Sequence, residues 1–343
     1  MTSASFIDVL VCEQPGTLRL ERRPAPVPGA VDVLVRPRRV GICGTDYHIF
    51  QGKHPYLEYP RVMGHELAVE IVEAPAGSGW SAGEIAVVNP YVSCGYCIAC
   101  RAGRPNCCVR IGVLGVHRDG GMAELLALPA RNLVRADRLG PDGCAAVEFL
   151  AIGAHAVNRA DIAAAERVLV VGAGPIGLGV ALFAGLAGGT VTVMDTDTER
   201  LDAAQGITGA DAIRADSSVA EAVAAATGGE GFDAVFDATG NAASMERGFD
   251  FVAHGGRYVL VSVVRSAIRF EDADFHRREM TLMGSRNATD ADFRRVIEAM
   301  EAGRVPLDRI LTHRTTLVQA VEDLPRWATQ KSGLIKAVIT IGD

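Results

Sequence analysis

The sequence has no excess of positive charge. Its 34 lysines and arginines face 41 aspartates and glutamates, a formal net charge of -7. A chain this acidic has no overall electrostatic attraction for nucleic acid or for an anionic membrane surface. Met1 to Leu10 shows no basic stretch followed by an apolar core, so no secretory signal is read there and a cytoplasmic location is expected. There are no internal repeats, no low-complexity tract and no long linker. An unbroken membrane-length apolar run is also missing. Val168 to Met194 carries no charge and is long enough to span a bilayer. However, Gly172, Gly174, Pro175 and the pair Gly188-Gly189 interrupt it, and Asp195 closes it.

What is present reads as a globular α/β protein. Hydrophobic residues make up 49% of the 343 and charged residues 22%, and the length suggests two domains. The first 150 residues carry short strand-like runs broken by Pro and Gly, such as VDVLVRPRRV, LAVEIVEA and IAVVNP, which predicts an antiparallel, barrel-like β domain. From about Ala151 strand-like runs alternate with Ala-rich helical stretches: RVLVVG, PIGLGVALFAGLA, TVTVMD, TERLDAAQ. This is the rhythm of a doubly wound parallel sheet. After about Gly284 come an amphipathic helix, DADFRRVIEAMEAG, and a last strand, LIKAVITIG.

Gly172-Ala-Gly174-Pro175-Ile176-Gly177 is a G-x-G-x-x-G pattern that follows a β run and opens an apolar helix, the context a dinucleotide site needs. Gly172 permits a tight turn, Gly174 lets backbone approach a pyrophosphate, and Gly177 lets helix and strand pack closely. Asp195 ends the next strand. A carboxylate there accepts hydrogen bonds from ribose hydroxyls and repels a 2′-phosphate, which favours NAD over NADP. Arg200 is the counterweight, as an arginine that can hold such a phosphate. The bland alternative for the glycines is helix–strand packing without a ligand.

The chain has eight cysteines, and without an export signal they read as metal ligands rather than disulfides. Cys94, Cys97, Cys100 and Cys108 form C-x2-C-x2-C-x7-C. Four thiolates on one short loop suit tetrahedral zinc and leave no open position, so this is a structural site. Cys107 is an adjacent substitute for Cys108, and an iron–sulfur cluster is the rival occupant. A second set is mixed. Cys43 in GICGTDYH, with His65 and Glu66 in GHE, offers one thiolate, one imidazole and one carboxylate, a zinc shell that can keep a position open. Taken singly, each of these three has a dull explanation: a core thiol, a satisfied core histidine, an exposed charge.

Together, GICGTDYH, GHE, the four-cysteine lobe, GAGPIG and GSRNAT resemble the zinc-containing medium-chain alcohol dehydrogenases over essentially the whole length, nearest to their polyol, threonine and sugar-acid branch. The resemblance implies a GroES-like catalytic domain over residues 1–150 and 285–343 with a Rossmann NAD-binding domain, 151–284, inserted. It implies a catalytic zinc on Cys43 and His65, with Glu66 and Glu148 as acidic ligands that trade with a water. It also implies a proton relay through Thr45 and the cofactor ribose to His48. Where the family commonly has proline after the glutamate, this chain has Phe149. The implied partners are a small-molecule alcohol substrate and further copies of the chain, as a homodimer or homotetramer. HIFQGKHPYLEYP and GVLGVHRDGGMAE resemble dehydrogenases that oxidise carbon five of hexonates such as L-gulonate or L-galactonate. Lys53, His117 and Arg118 are candidate contacts for a sugar-acid carboxylate, with surface solvation as their ordinary fate. Neutral polyols and L-threonine remain alternative substrates, and a non-catalytic zinc-stabilised NAD sensor is the alternative of another class.

Overall fold

The computed structural model describes residues 6–53, 57–330 and 332–342. It forms two compact units. One comprises the residues up to Glu148 together with those from Thr289 onward, and the other is Phe149–Ala288. The first division falls inside the helix Pro141–Ala160, which runs from one unit into the other, so no break in local sequence marks it. The textural boundaries at 150 and 284 therefore differ from it by a few residues.

The first unit is built on a seven-stranded sheet. Its path runs Leu133–Arg135, Ile85–Val88, Glu66–Glu73, Asp32–Ile42, Lys336–Thr340, Leu311–Thr316, with Leu126–Pro129 pairing off the path to Asp32–Ile42. Strand Asp32–Ile42 buries Val33 and Val35, then Val40 and Ile42. The change from odd to even positions comes from a register shift between Pro37 and Arg39, since one extra residue moves every later side chain to the other face. The named strands of the first 150 residues pair antiparallel, as expected for them, whereas the later pair Leu311–Thr316 with Lys336–Thr340 is parallel. Between those strands the chain makes the helix Ala320–Thr329, a crossover long enough to bring the second strand back in the same direction. A separate three-stranded sheet is formed by Thr17–Pro24, Phe6–Gln14 and Arg61–Val62. Helix Pro141–Ala160 is pinned near its start, where Asp142 pairs with Arg39 at 2.8 Å and Arg314 at 2.6 Å. Glu148 therefore lies in a helix interior. Phe149 keeps the backbone N–H that a proline would remove, and the helix runs on unbroken.

The second unit is a six-stranded parallel sheet in the order Asp211–Arg214, Thr190–Asp195, Arg167–Val171, Phe232–Asp237, Val252–Leu260, Thr281–Gly284. The order reverses between Arg167–Val171 and Phe232–Asp237. This is the topological switch point of a doubly wound fold, where the crevice for a ligand opens. Strands buried on both faces need continuous apolar runs, and Val168, Leu169 and Val170 are fully buried.

Candidate active site

Cys43 follows strand Asp32–Ile42 and precedes the short helix Gly44–Phe50. Asp46, fully buried, accepts the Cys43 amide at 2.8 Å and the Gly64 amide at 3.3 Å, so one carboxylate ties the cysteine motif to the GHE turn. Burial pushes the Asp46 pKa up, against the pull of His65. Gly64 has φ +92, and a Cβ there would meet Val40 at 2.7 Å. Only glycine fits the turn that presents His65.

One ligand atom from each of Cys43, His65 and Glu66 lies within 4.8 Å of the others. His65 and Glu66 are buried, Cys43 half-buried. His65 Nδ1 is buried without a hydrogen-bond partner, the condition of a group that awaits a ligand. Burial opposes charge on His65, but its hydrogen bond to Cys43 and the charges of Cys43 and Asp46 outweigh it and hold the imidazole above its ordinary pKa. Thiolate, imidazole and carboxylate at this spacing fit zinc.

Glu66 begins its strand opposite Gly41, and a Cβ on Gly41 would sit 2.1 Å from Glu66 Oε2. The missing side chain opens the space in which Lys336, from the strand on the other side of Asp32–Ile42, donates to Glu66 Oε1 at 2.5 Å. Lys336 is itself buried. Burial works against its charge, and the Glu66 carboxylate outweighs that and raises its pKa.

Glu148 is buried but stands outside the three-residue donor group. The Tyr91 hydroxyl donates to its Oε1. Burial pushes Glu148 up, moderated by His65. Thr45 is half-buried, with its Oγ1 3.7 Å from Cys43 Sγ, and His48 is exposed three residues further along the same helix, on the same face. Lys53, His117 and Arg118 are all exposed. His117 Nδ1 accepts the Val113 amide at 3.1 Å. The loop that carries His117 and Arg118 is fastened next to His65, since the Gly120, Gly121 and Met122 amides donate to the Val62, Gly64 and Met63 carbonyls at 2.8 to 3.0 Å. His54, Pro55 and Tyr56 of the HIFQGKHPYLEYP stretch lie outside the described residues.

The four-cysteine lobe closes on itself. Sulfurs of Cys94, Cys97, Cys100 and Cys108 lie within 4.8 Å of one another, Cys97 and Cys100 at 3.4 Å. Amides point inward: Cys94 N–H donates to Cys108 Sγ at 3.3 Å and Arg110 N–H at 3.4 Å. Amides of Cys100 and Val109 hold the Cys97 thiol down to about 6, while burial and Cys97 push Cys100 up to about 11. Thiols this close ionise together only around a cation, which is what a structural zinc would provide. Cys107 is exposed, outside this set.

At the switch point, Gly172 takes φ +101, and a Cβ on Gly177 would fall 1.7 Å from the Gly172 carbonyl oxygen. Gly174 caps the helix Pro175–Leu186, with Pro175 at its start and Ile176 next, and open space lies where its Cβ would be. Asp195 Oδ2 accepts the Ala173 amide at 2.7 Å, which sets the carboxylate against the glycine turn. Arg200 leans towards Asp197, at 3.9 Å, rather than towards Asp195.

Asp46, Tyr91 and Lys336 were not singled out from the sequence. Asp46 had a signal, an acid three residues after a helix N-cap. Lys336 had another, a lone charge inside the apolar run LIKAVITIG. Tyr91 had none.

Residues 29–138 match the alcohol dehydrogenase GroES-like domain, and 175–302 the zinc-binding dehydrogenase family. The chain is 42% identical to the L-galactonate-5-dehydrogenase of Escherichia coli K12 over 98% of its own length and 99% of the relative's. Among solved structures, the alcohol dehydrogenase RspB of Escherichia coli CFT073, complexed with NADH, superposes with a TM-score of 0.91 at 28% identity, covering 98% and 99% of the two chains. A zinc-binding dehydrogenase of Sinorhizobium meliloti 1021 bound to NADP gives 0.89 at 30%, over the same shares of the two chains. No helix among the described residues is long and apolar enough to cross a membrane. The chain belongs to the zinc-containing medium-chain alcohol dehydrogenases, oxidoreductases that join a GroES-like domain to a Rossmann domain.

Proposed function

We propose that this enzyme oxidises a secondary alcohol of a sugar acid of the L-galactonate or L-gulonate kind to a ketone, with NAD as acceptor. The observation that carries the reaction class is the Cys43–His65–Glu66 donor set, with ligand atoms within 4.8 Å of one another. The relative acting on L-galactonate, 42% identical over nearly the full length, supports the substrate class. Cys43, His65 and Glu66, with Glu148 close by, would hold the catalytic zinc, and Cys94, Cys97, Cys100 and Cys108 the structural one. Gly172, Gly174, Pro175, Ile176 and Gly177 would cradle the pyrophosphate, with Asp195 on the ribose.

When bound, zinc supplies Lewis acidity that lowers the pKa of an alcohol, and NAD supplies the hydride acceptor. The protein does the rest. Asp46 fixes the Cys43 and Gly64 amides and so the spacing of the donors. Lys336 offsets the Glu66 charge, leaving the site less negative as a substrate carboxylate approaches. Thr45 Oγ1 would accept the proton the alcohol loses while giving up its own, which passes by way of the cofactor ribose to His48, exposed on the same helix face, and from there to water. Arg118, on the loop fastened beside Gly64, and Lys53 are the candidate cations for the sugar-acid carboxylate, and His117, whose Nδ1 accepts the Val113 amide, is a candidate neutral donor to it through Nε2–H.

NADH formation across L-galactonate, L-gulonate, sorbitol and L-threonine tests the reading. Turnover of the two hexonates at least tenfold above the others is expected. Preference for sorbitol or L-threonine would move the enzyme to another branch, and no turnover of any alcohol would favour a non-catalytic NAD sensor. Metal analysis should find two zinc ions per chain, one lost to a chelator together with activity. The enzyme is further proposed to be cytoplasmic and a homodimer or homotetramer, which light scattering decides.

A further inference from the structure

Two buried glutamates, one a member of the Cys43–His65–Glu66 group and the other outside it, are held by different means. Glu66 is paired with a full charge, Lys336. Glu148 accepts from a neutral phenol, Tyr91. The phenol is rigidly placed. Tyr91 is buried, its amide donates to Asn89 Oδ1 at 3.1 Å, and its ring stands edge-on to Phe293 with centroids 6.5 Å apart. Glu148 sits in a helix interior, so its carboxylate is steered by side-chain torsions alone. Its charge is felt by His65, yet it is not one of the donors that lie mutually within 4.8 Å.

We propose that Tyr91 is a positioning residue, whose hydroxyl holds the Glu148 carboxylate back from the Cys43–His65–Glu66 group and keeps the remaining position open for the substrate alcohol. A carboxylate left free beside this group would compete with a weaker oxygen ligand for the cation, because it brings charge as well as a lone pair. One charge-assisted hydrogen bond from a fixed donor biases that competition without removing the acid. The inference rests on the reading that Cys43, His65 and Glu66 bind zinc.

Tyr91→Phe tests it, since phenylalanine keeps the ring contact with Phe293 and removes only the donor. Retention of zinc in the four-cysteine lobe serves as the check that the variant is folded. With Glu148 released, the catalytic zinc should be lost to a chelator about tenfold more slowly, the change expected when one ordinary hydrogen bond no longer opposes coordination. The visible bands of cobalt placed in the catalytic site should shift, and KM for the alcohol should rise more than kcat falls. The double variant Tyr91→Phe/Glu148→Gln should match Glu148→Gln alone, because Tyr91 acts through that acid. A Tyr91→Phe protein with native chelation and cobalt spectrum, while Glu148→Gln alters both, would overturn the proposal. So would an effect of Tyr91→Phe that adds in full to that of Glu148→Gln. If Glu148→Gln also changes nothing, Glu148 is remote from the metal and the proposal fails with it. Loss of the chelatable zinc from Cys43→Ser would then still uphold the zinc site, and its survival there would defeat that reading separately.

Discussion

Lys336 Nζ lies 2.5 Å from Glu66 Oε1, a contact between residues 270 positions apart, both buried. The strand between them is bare at Gly41, and the pair occupies the space a side chain there would fill. A buried ion pair of this kind is costly to break on one side only, because the surviving charge has neither water nor partner.

Lys336→Met should therefore destabilise the metal-free protein by about 3–5 kcal/mol. The loss should be smaller in the zinc-loaded protein, where a cation stands near the same carboxylate. Calorimetry with and without zinc measures both. Equal losses in the two states would mean that Glu66 does not face the ion.

Asp195→Ala should narrow or reverse a preference for NAD over NADP. Its carboxylate is locked against the glycine turn by the Ala173 amide, where a 2′-phosphate would meet it, and Arg200 leans to Asp197 instead. The ratio of kcat/KM for the two cofactors reports this. A native enzyme that already uses NADP equally well would place the decision elsewhere.

His48→Ala should lower turnover at neutral pH by roughly 10²-fold and less at high pH, since a proton relay matters most when hydroxide is scarce. The pH–rate profile is the measurement. A profile that keeps its native shape would remove His48 from the proton path.

Asp142 joins the long helix to two strands through Arg314 and Arg39, and these guanidiniums, Arg314 first, hold its pKa below the ordinary carboxylate value. A depressed folded pKa stabilises the protein above the unfolded pKa, and that contribution fades as pH falls through the folded value. Asp142→Asn should lower Tm by a few degrees at pH 7, with about 1 kcal/mol or less at stake for a partly exposed cluster. The difference from native should shrink steadily below about pH 4. A constant difference down to pH 2 would show that charge is not what Asp142 contributes.

Much of this molecule was legible along the chain, because its chemistry sits in contiguous motifs. C-x2-C-x2-C-x7-C places four sulfurs on one lobe whatever surrounds it, and a glycine turn after a β run can be recognised from its neighbours alone. The parallel rhythm of the central unit was equally visible, since strands covered on both faces must be apolar throughout. What the tertiary structure decided are relationships between distant segments. Asp46 joins Cys43 to Gly64, Tyr91 holds Glu148, and Lys336 neutralises Glu66 across a bare Gly41. Spacing alone gives none of them in full: Lys336 reaches Glu66 through the sheet order and the register shift at Pro37, Gly64 comes to Asp46 only in the folded chain, and Tyr91 meets Glu148 only where the short strand Tyr91–Val92 comes to the helix Pro141–Ala160. Residue types fix which chemistry is available. Which carboxylate is paired with a charge, and which is held by a phenol, is settled only when strands and a helix far apart in sequence come together.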